Sequence, residues 1–333
     1  MPNRPDFPSR QRRGLLALTA LPLVAGPRAA RAQAWPSKAI KLVLPSGAGG
    51  GSDLFGRPLA EYMSQQLKVP VVVENRPGAN GILAHETVVR QPADGYSLVI
   101  SYSAALIGNK LMLPKMSHDP LVDLQPIGRI GGGGGNVLIV NADLPVRNIK
   151  EMVDWVKARG VEVSYASWGI ASGGHLVMEM MKHRLGMKLS HVPYKTVAQI
   201  PPDIISGVVP IAWIDSATPV THVKSGRVRA IATAAQRRLP LFPEVATLNE
   251  QGIPFEVETW YGLFAPAGLP HDVLVRLNTV LNQWLRLPET ASFFEQKQNS
   301  PAPIPMTPEQ YIALLQRDVV AWKGLIADSR VVL

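Results

Sequence analysis

Two stretches of this chain carry residue types able to hold a negative charge without a cationic side chain. The first, Ser46-Gly47-Ala48-Gly49-Gly50-Gly51-Ser52-Asp53, follows the apolar run 40–44. The second, Ser167-Trp168-Gly169-Ile170-Ala171-Ser172-Gly173-Gly174, follows the run 163–166. Each passes from a strand-like run through small residues into a helix start. The first N–H groups of a helix have no partners within it, and the macrodipole adds partial positive charge there. Such a place accepts a carboxylate or a phosphate on main-chain donors. Neither stretch contains a lysine or an arginine.

Elements that could position these loops alternate along the chain. A strand at 40–44, a helix at 54–67, a strand at 69–74, the turn-rich loop 75–81, a helix to about Arg90 and a strand at 97–101 predict a parallel α/β sheet with right-handed crossovers. The run Val69-Pro70-Val71-Val72-Val73 reads as a strand buried on both faces. Ligands of such sheets gather at the carboxyl ends of the strands, where the first loop and residues 101–104 fall. Five glycines at 131–135 then interrupt the pattern, as a turn or as the entry to a hinge strand. A phosphate cradle there lacks the Gly-Lys-Ser/Thr ending that it would need.

A second alternation begins at Asn148, with a helix to Arg159, a strand at 163–166 and a helix to about Leu185 that holds His175 in its first turn. Strands follow at 191–194, 211–214 and 228–233, with an irregular helix at 198–206. The segment 258–265 reads as a strand returning to the first sheet, so that the chain crosses twice. Helices close the chain: 271–286 buries Val273, Leu274, Leu277, Val280, Leu281, Trp284 and Leu285. A last helix, capped by Thr307-Pro308-Glu309-Gln310, turns Ile312, Leu315, Val319, Trp322 and Ile326 inward. Two mouths on two sheets imply a cleft.

Composition narrows the classes. Residues 1–34 read as an export leader: Arg12 and Arg13 precede an apolar run to Val24, and Ala30-Arg31-Ala32 offers a cleavage site, with twin-arginine and general secretion both open. The leader carries six arginines against Asp6, so the formal charge of +9 falls by +5 to a mild +4 without it. That excess, without basic clusters interleaved with aromatics, speaks against nucleic acid. The absence of cysteine excludes disulfides and thiol nucleophiles. About 300 residues after the leader exceed one ordinary core, which predicts two domains.

Enzyme motifs fail on spacing. Gly169-Ile170-Ala171-Ser172-Gly173 misplaces the serine of a Gly-x-Ser-x-Gly elbow. His85-Glu86 lacks the second histidine of a zinc-protease helix, and Gly47 to Ser52 lacks the final glycine of a dinucleotide fingerprint. No metal and no cofactor is expected.

The passages 35–45 (Trp-Pro-Ser-Lys-Ala-Ile-Lys-Leu-Val-Leu-Pro), 49–53, 73–81 (Val-Glu-Asn-Arg-Pro-Gly-Ala-Asn-Gly), 92–98, 191–195 (His-Val-Pro-Tyr-Lys) and 260–268 (Trp-Tyr-Gly-Leu-Phe-Ala-Pro-Ala-Gly) occur in this order. Together they resemble the substrate-binding proteins of tripartite tricarboxylate transporters, the Bug family, over nearly the whole exported chain. The resemblance implies a two-lobed periplasmic binding protein of type II-like α/β architecture with two crossover strands. Residues 35–135 and 260–333 form one lobe and 136–259 the other. It also implies a monomer that captures a small organic carboxylate and delivers it to membrane permease subunits. The alternatives are a ligand-presenting receptor for a sensor kinase and, more remotely, a carboxylate-processing hydrolase.

On this resemblance the ligand-binding residues are Ser46, Gly47, Ala48, Gly49, Gly50, Ser52 and Asp53 from the first loop; the strand-end position adds Ser101, Ser103 and Ala104 beside it. The second lobe supplies Ser167, Gly169, Ser172, Tyr194, Lys195 and Asp215. Thr196 and Trp168 depart from the glycine and the small residue usual there. Plainer roles stand beside these: Ser52 and Asp53 as helix caps, His175 as packing, Lys195 as a surface charge and Asp215 as an internal hydrogen-bond acceptor.

Overall fold

The structure is a computed structural model that describes residues 35–113, 115–132 and 135–332. The leader expected over 1–34 lies outside them, as do Pro114, Gly133, Gly134 and Leu333. In the first sheet β1 (Ile40–Leu44) hides every side chain but Lys41, which suits an inner strand covered on both faces. It pairs in parallel with β2 (Val71–Asn75) and β3 (Ser97–Tyr102), joined through α1 (Gly51–Leu67) and α2 (Ile82–Val89). After the short α3 (Asn109–Met112), β4 (Leu124–Gly132) forms the far edge.

The chain then builds a second sheet from β5 (Asn136–Asn141), β6 (Val163–Ser167), β7 (Leu189–Pro193), β8 (Ile211–Asp215) and β9 (Val228–Thr233). Its helices are α4 (Ile149–Ala158), α5 (Gly173–Leu185), α6 (Ile200–Ile205) and α7 (Val220–Lys224). Strand β10 (Trp260–Pro266) returns to the first sheet between β3 and β4, antiparallel to both. The order is β2-β1-β3-β10-β4 in one sheet and β7-β6-β8-β5-β9 in the other. Each is a parallel trio followed by an antiparallel strand and an edge. Both belong to one compact unit, Trp35–Leu333.

The last helices lie on the first sheet. In α8 (His271–Leu285) all seven residues of the expected stripe are buried, at about 1.5–3 kcal/mol for each large apolar side chain. The helix α9 (Pro288–Lys297) was not foreseen, and α10 (Pro308–Ser329) starts with the expected capping box between Thr307 and Gln310. Its inward face differs from the expected one. Leu315 and Trp322 are buried, but Ile312 is 40% exposed and Val319 and Ile326 lie at the margin. Tyr311 and Asp318 face inward instead, because Trp260 donates its indole N–H to the Asp318 carboxylate. Burial pushes that carboxyl up to about 6.

Two further expectations are corrected. The valine-rich β2 is an edge strand with Val72 55% exposed, so it is not buried on both faces. Gly131 and Gly132 belong to β4, a strand that Pro126 and the glycines concealed. A Cβ at Gly131 would lie 2.3 Å from the Phe294 ring of α9, so the glycine seats that ring. At Gly132 a Cβ would lie 2.5 Å from the Thr259 carbonyl, and at Gly135, with φ +59°, 2.4 Å from the Ala234 carbonyl. The outgoing and returning passages of the chain therefore run backbone against backbone.

Candidate ligand-binding mouth

The first loop leaves β1 and enters α1 through Gly50, an extended N-cap that provides no side-chain cap. Ser52 and Asp53 thus stand in the first helical turn and do not cap the helix. Asp53 is only 4% exposed and acts from behind the loop. Its Oδ2 accepts the Gly49 N–H and Arg57 Nε at 2.9 Å each, and its Oδ1 accepts Asn75 Nδ2 at 2.9 Å. Burial alone would raise this carboxyl; the bonds from Arg57, Gly49 and Asn75, with the charge of Arg57, outweigh it and hold the group below its usual range.

Asn75 Nδ2 also reaches the Ser46 carbonyl at 2.8 Å, and the Ser46 and Ser52 hydroxyls meet at 2.5 Å. The loop is tied shut on one side. On the other, the N–H groups of Gly51 and Ser52 have no acceptor among the described residues.

The second loop enters α5 through Ser172, whose hydroxyl accepts the His175 N–H at 3.3 Å. Ser167 Oγ lies 3.1 Å from the Gly169 carbonyl, 3.1 Å from Ser172 Oγ and 2.7 Å from His191 Nε2. The first-turn N–H groups of Gly173 and Gly174 are again without acceptors among the described residues. Trp168 lies across this turn: a Cβ on Gly174 would meet its ring at 2.7 Å and Trp213 Cβ at 2.9 Å. The departure from the usual small residue at 168 is therefore accommodated by the glycine beneath it.

Other expected residues fall differently. Ser101 is fully buried with its hydroxyl 2.7 Å from His85 Nε2. Ser103 and Ala104 are buried where a π-helical turn (Ala104–Gly108) begins. The Tyr194 hydroxyl donates to Asp203 Oδ2 at 2.5 Å, and burial together with that bond pushes its pKa up to about 12. Lys195 is exposed and makes no ion pair among the described residues. Asp215 accepts the Ala217 and Thr218 N–H groups at 3.0 and 2.9 Å and the Thr218 hydroxyl at 2.7 Å, closing its own turn.

Tyr261, Asn136 and His191 were missed by sequence reasoning. A Cβ on Gly51 would lie 2.7 Å from the Tyr261 hydroxyl, which burial and then the charge of Asp215 keep protonated. Asp215 pairs in register with Asn136, and a Cβ on Gly173 would lie 3.0 Å from Asn136 Nδ2. Tyr261 thus stands at the first helix start and Asn136 at the second. Their signals were the Trp-Tyr-Gly motif, the residue after the glycine run and the His-Val-Pro-Tyr-Lys motif.

Hollows of about 390 and 490 Å³ lie elsewhere, along α2, and share Glu86, Arg90 and Gln91. No residue of either loop lines them. Among the described residues no helix is long and apolar enough to cross a membrane, and no three His, Cys, Asp or Glu side chains gather as a metal site.

The sequence profile described as "Tripartite tricarboxylate transporter family receptor" matches residues 55–331. Protein BugT of Bordetella pertussis is 30% identical over 300 residues, 90% of this chain and 91% of that protein. The structure of periplasmic binding protein BugD is 30% identical with a TM-score of 0.77, covering 89% of this chain and 99% of that one. The structure of R. palustris Rpa4515 with adipate is 26% identical with a TM-score of 0.81, covering 90% and 99%.

Proposed function

The chain belongs to the tripartite tricarboxylate transporter receptor family, whose members are periplasmic solute-binding receptors and not enzymes, and from this premise we propose that it captures a small organic carboxylate for a membrane permease pair. One observation carries the reading: two helix starts, each behind a small-residue loop without lysine or arginine, offer the N–H groups of Gly51, Ser52, Gly173 and Gly174, which have no acceptor among the described residues. Such donors favour an anion through dipole and hydrogen bonds and leave its covalent bonds alone.

Residues 35–135 with 260–333 act as one lobe and 136–259 as the other, closing over the ligand in a single monomer. One end of the acid sits on α1 and the other on α5, with Tyr261 and Asn136 between. The relative that holds adipate supports a flexible aliphatic acid as the first probe.

A thermal-shift screen of adipate, shorter dicarboxylates, tricarboxylates, amino acids and aromatic acids tests this. A ligand at a hundred times its dissociation constant should stabilise the protein by about 2.7 kcal/mol. If no acid in the panel raises the unfolding temperature, carboxylate capture is wrong.

A further inference from the structure

Two histidines stand behind the second loop. His175 and His191 stack face to face, with ring centroids 4.0 Å apart and planes at 18°. His175 Nδ1 accepts the Ala171 N–H at 3.0 Å. A nitrogen that accepts a hydrogen bond carries no proton, so neutral His175 holds its proton on Nε2. A cationic His175 would set N–H against N–H. Ala171 needs that partner, because it stands at φ +59°, a left-handed conformation costly for any residue with a Cβ. From this turn the chain passes directly through Ser172 into Gly173 and Gly174.

His191 completes the arrangement. Its Nε2 lies 2.7 Å from Ser167 Oγ, which also lies 3.1 Å from the Gly169 carbonyl. One imidazole thus fixes the start of the loop, the other fixes its end, and the stack couples them.

We propose that His175 and His191 are positioning residues for the second anion-binding loop, a neutral stacked pair that holds the Gly173 and Gly174 amides in their binding geometry. Of the charged groups near the pair, Glu179 favours a cation on His175 and Lys182 opposes one on either ring. On α5, Glu179 accepts the hydroxyl of Tyr165 from β6 at 2.7 Å, pairs with Lys182 at 3.1 Å and lies 3.8 Å from His183. From α10, Asp328 pairs with Arg184 near the far end of α5. Burial lowers the pKa of both rings, most strongly at His191.

This inference rests on the proposed capture of a carboxylate, and the test separates the two. In the unliganded, isotope-labelled protein, imidazole nitrogen shifts should show neutral rings from pH 8 to pH 5, with the proton of His175 on Nε2. In His175→Ala the Ala171 amide should lose its slow exchange and the Gly173 and Gly174 resonances should move. His175→Asn, whose Oδ1 can replace Nδ1, should restore them. With adipate, or whichever acid of the panel the wild type retains, affinity should fall at least tenfold in His175→Ala and return to within threefold in His175→Asn.

An ordinary histidine titration near pH 6.5 in either ring, unmoved glycine resonances in His175→Ala, or an asparagine variant no better than alanine would overturn the positioning role. If the wild type holds no acid, carboxylate capture fails, while the nitrogen shifts and glycine resonances still decide what the histidines do.

Discussion

Asn299 donates its side-chain amide to the Ser216 carbonyl at 3.0 Å while its Oδ1 accepts the Leu241 N–H at 2.7 Å. It is wholly buried between α9 and α10, and its neighbour Ser300 donates to the Gly132 carbonyl at 3.2 Å. This short segment therefore fastens loops of the second sheet to the end of β4. Asn299→Ala leaves a part-buried donor and a buried acceptor unpaired, at about 1–3 kcal/mol for each fully buried group. Urea unfolding should show a loss of roughly 2–4 kcal/mol, and Asn299→Asp, which keeps only the acceptor, should fall between alanine and wild type.

Asp53 should matter more to the loop than to overall stability. Arg57 is half exposed, so water screens the ion pair and it contributes little by itself. The bonds from Gly49 and Asn75 shape the mouth. Asp53→Asn should retain most of the adipate-induced thermal shift, or that of whichever acid binds, and Asp53→Ala should abolish it. Because the folded pKa lies below the ordinary aspartate value of 3.8, this carboxylate stabilises the protein above that pH. Its contribution is lost as pH falls through the depressed folded value, and unfolding curves of Asp53→Asn should lack that share.

Gly174 and Trp168 should be energetically coupled. Gly174→Ala drives a methyl into the indole and into Trp213, which overpacks the site by about 1–3 kcal/mol. Trp168→Ala removes one of the two obstacles, so the double variant should recover roughly 1 kcal/mol in a double-mutant cycle. Additive losses in urea unfolding would show that the ring does not sit where it is described.

Acid should weaken the protein through its buried histidines. Burial, and then His118, depresses His85 to about 3, and burial, and then His175 and Lys182, does the same to His191. In the unfolded chain both titrate near 6.5, so stability is full above that pH and declines between 6.5 and 3, where the unfolded state binds more protons. Each histidine adds a slope of about 1.4 kcal/mol per pH unit within that window. His85→Gln should remove one such increment when unfolding is followed at pH 7, 5.5 and 4.

The α/β alternation and the stripe of α8 were legible because apolar spacing and burial coincide there. The strand β4 was not: Pro126, Gly128 and the glycines that follow look like a loop, and their fitness for a strand depends on the rings of α9 and on α8 above them. The face of α10 was misjudged because Asp318 and Tyr311 read as surface residues until Trp260 supplies a partner. At the mouth, both helix starts were foreseen from small residues. What escaped was competition within the loop: Asp53 binds the Gly49 amide, and Ser101 turns toward His85. A linear pattern does not reveal such long-range partners.

The close passage of Gly132 by Trp260 and of Gly135 by Ala234 has a mechanical meaning. The second sheet hangs from a neck whose entering and leaving strands are already clasped. Tension applied between the two ends of the chain would run through the β4 and β10 ladder and leave the sheet beyond it slack until that clasp parts.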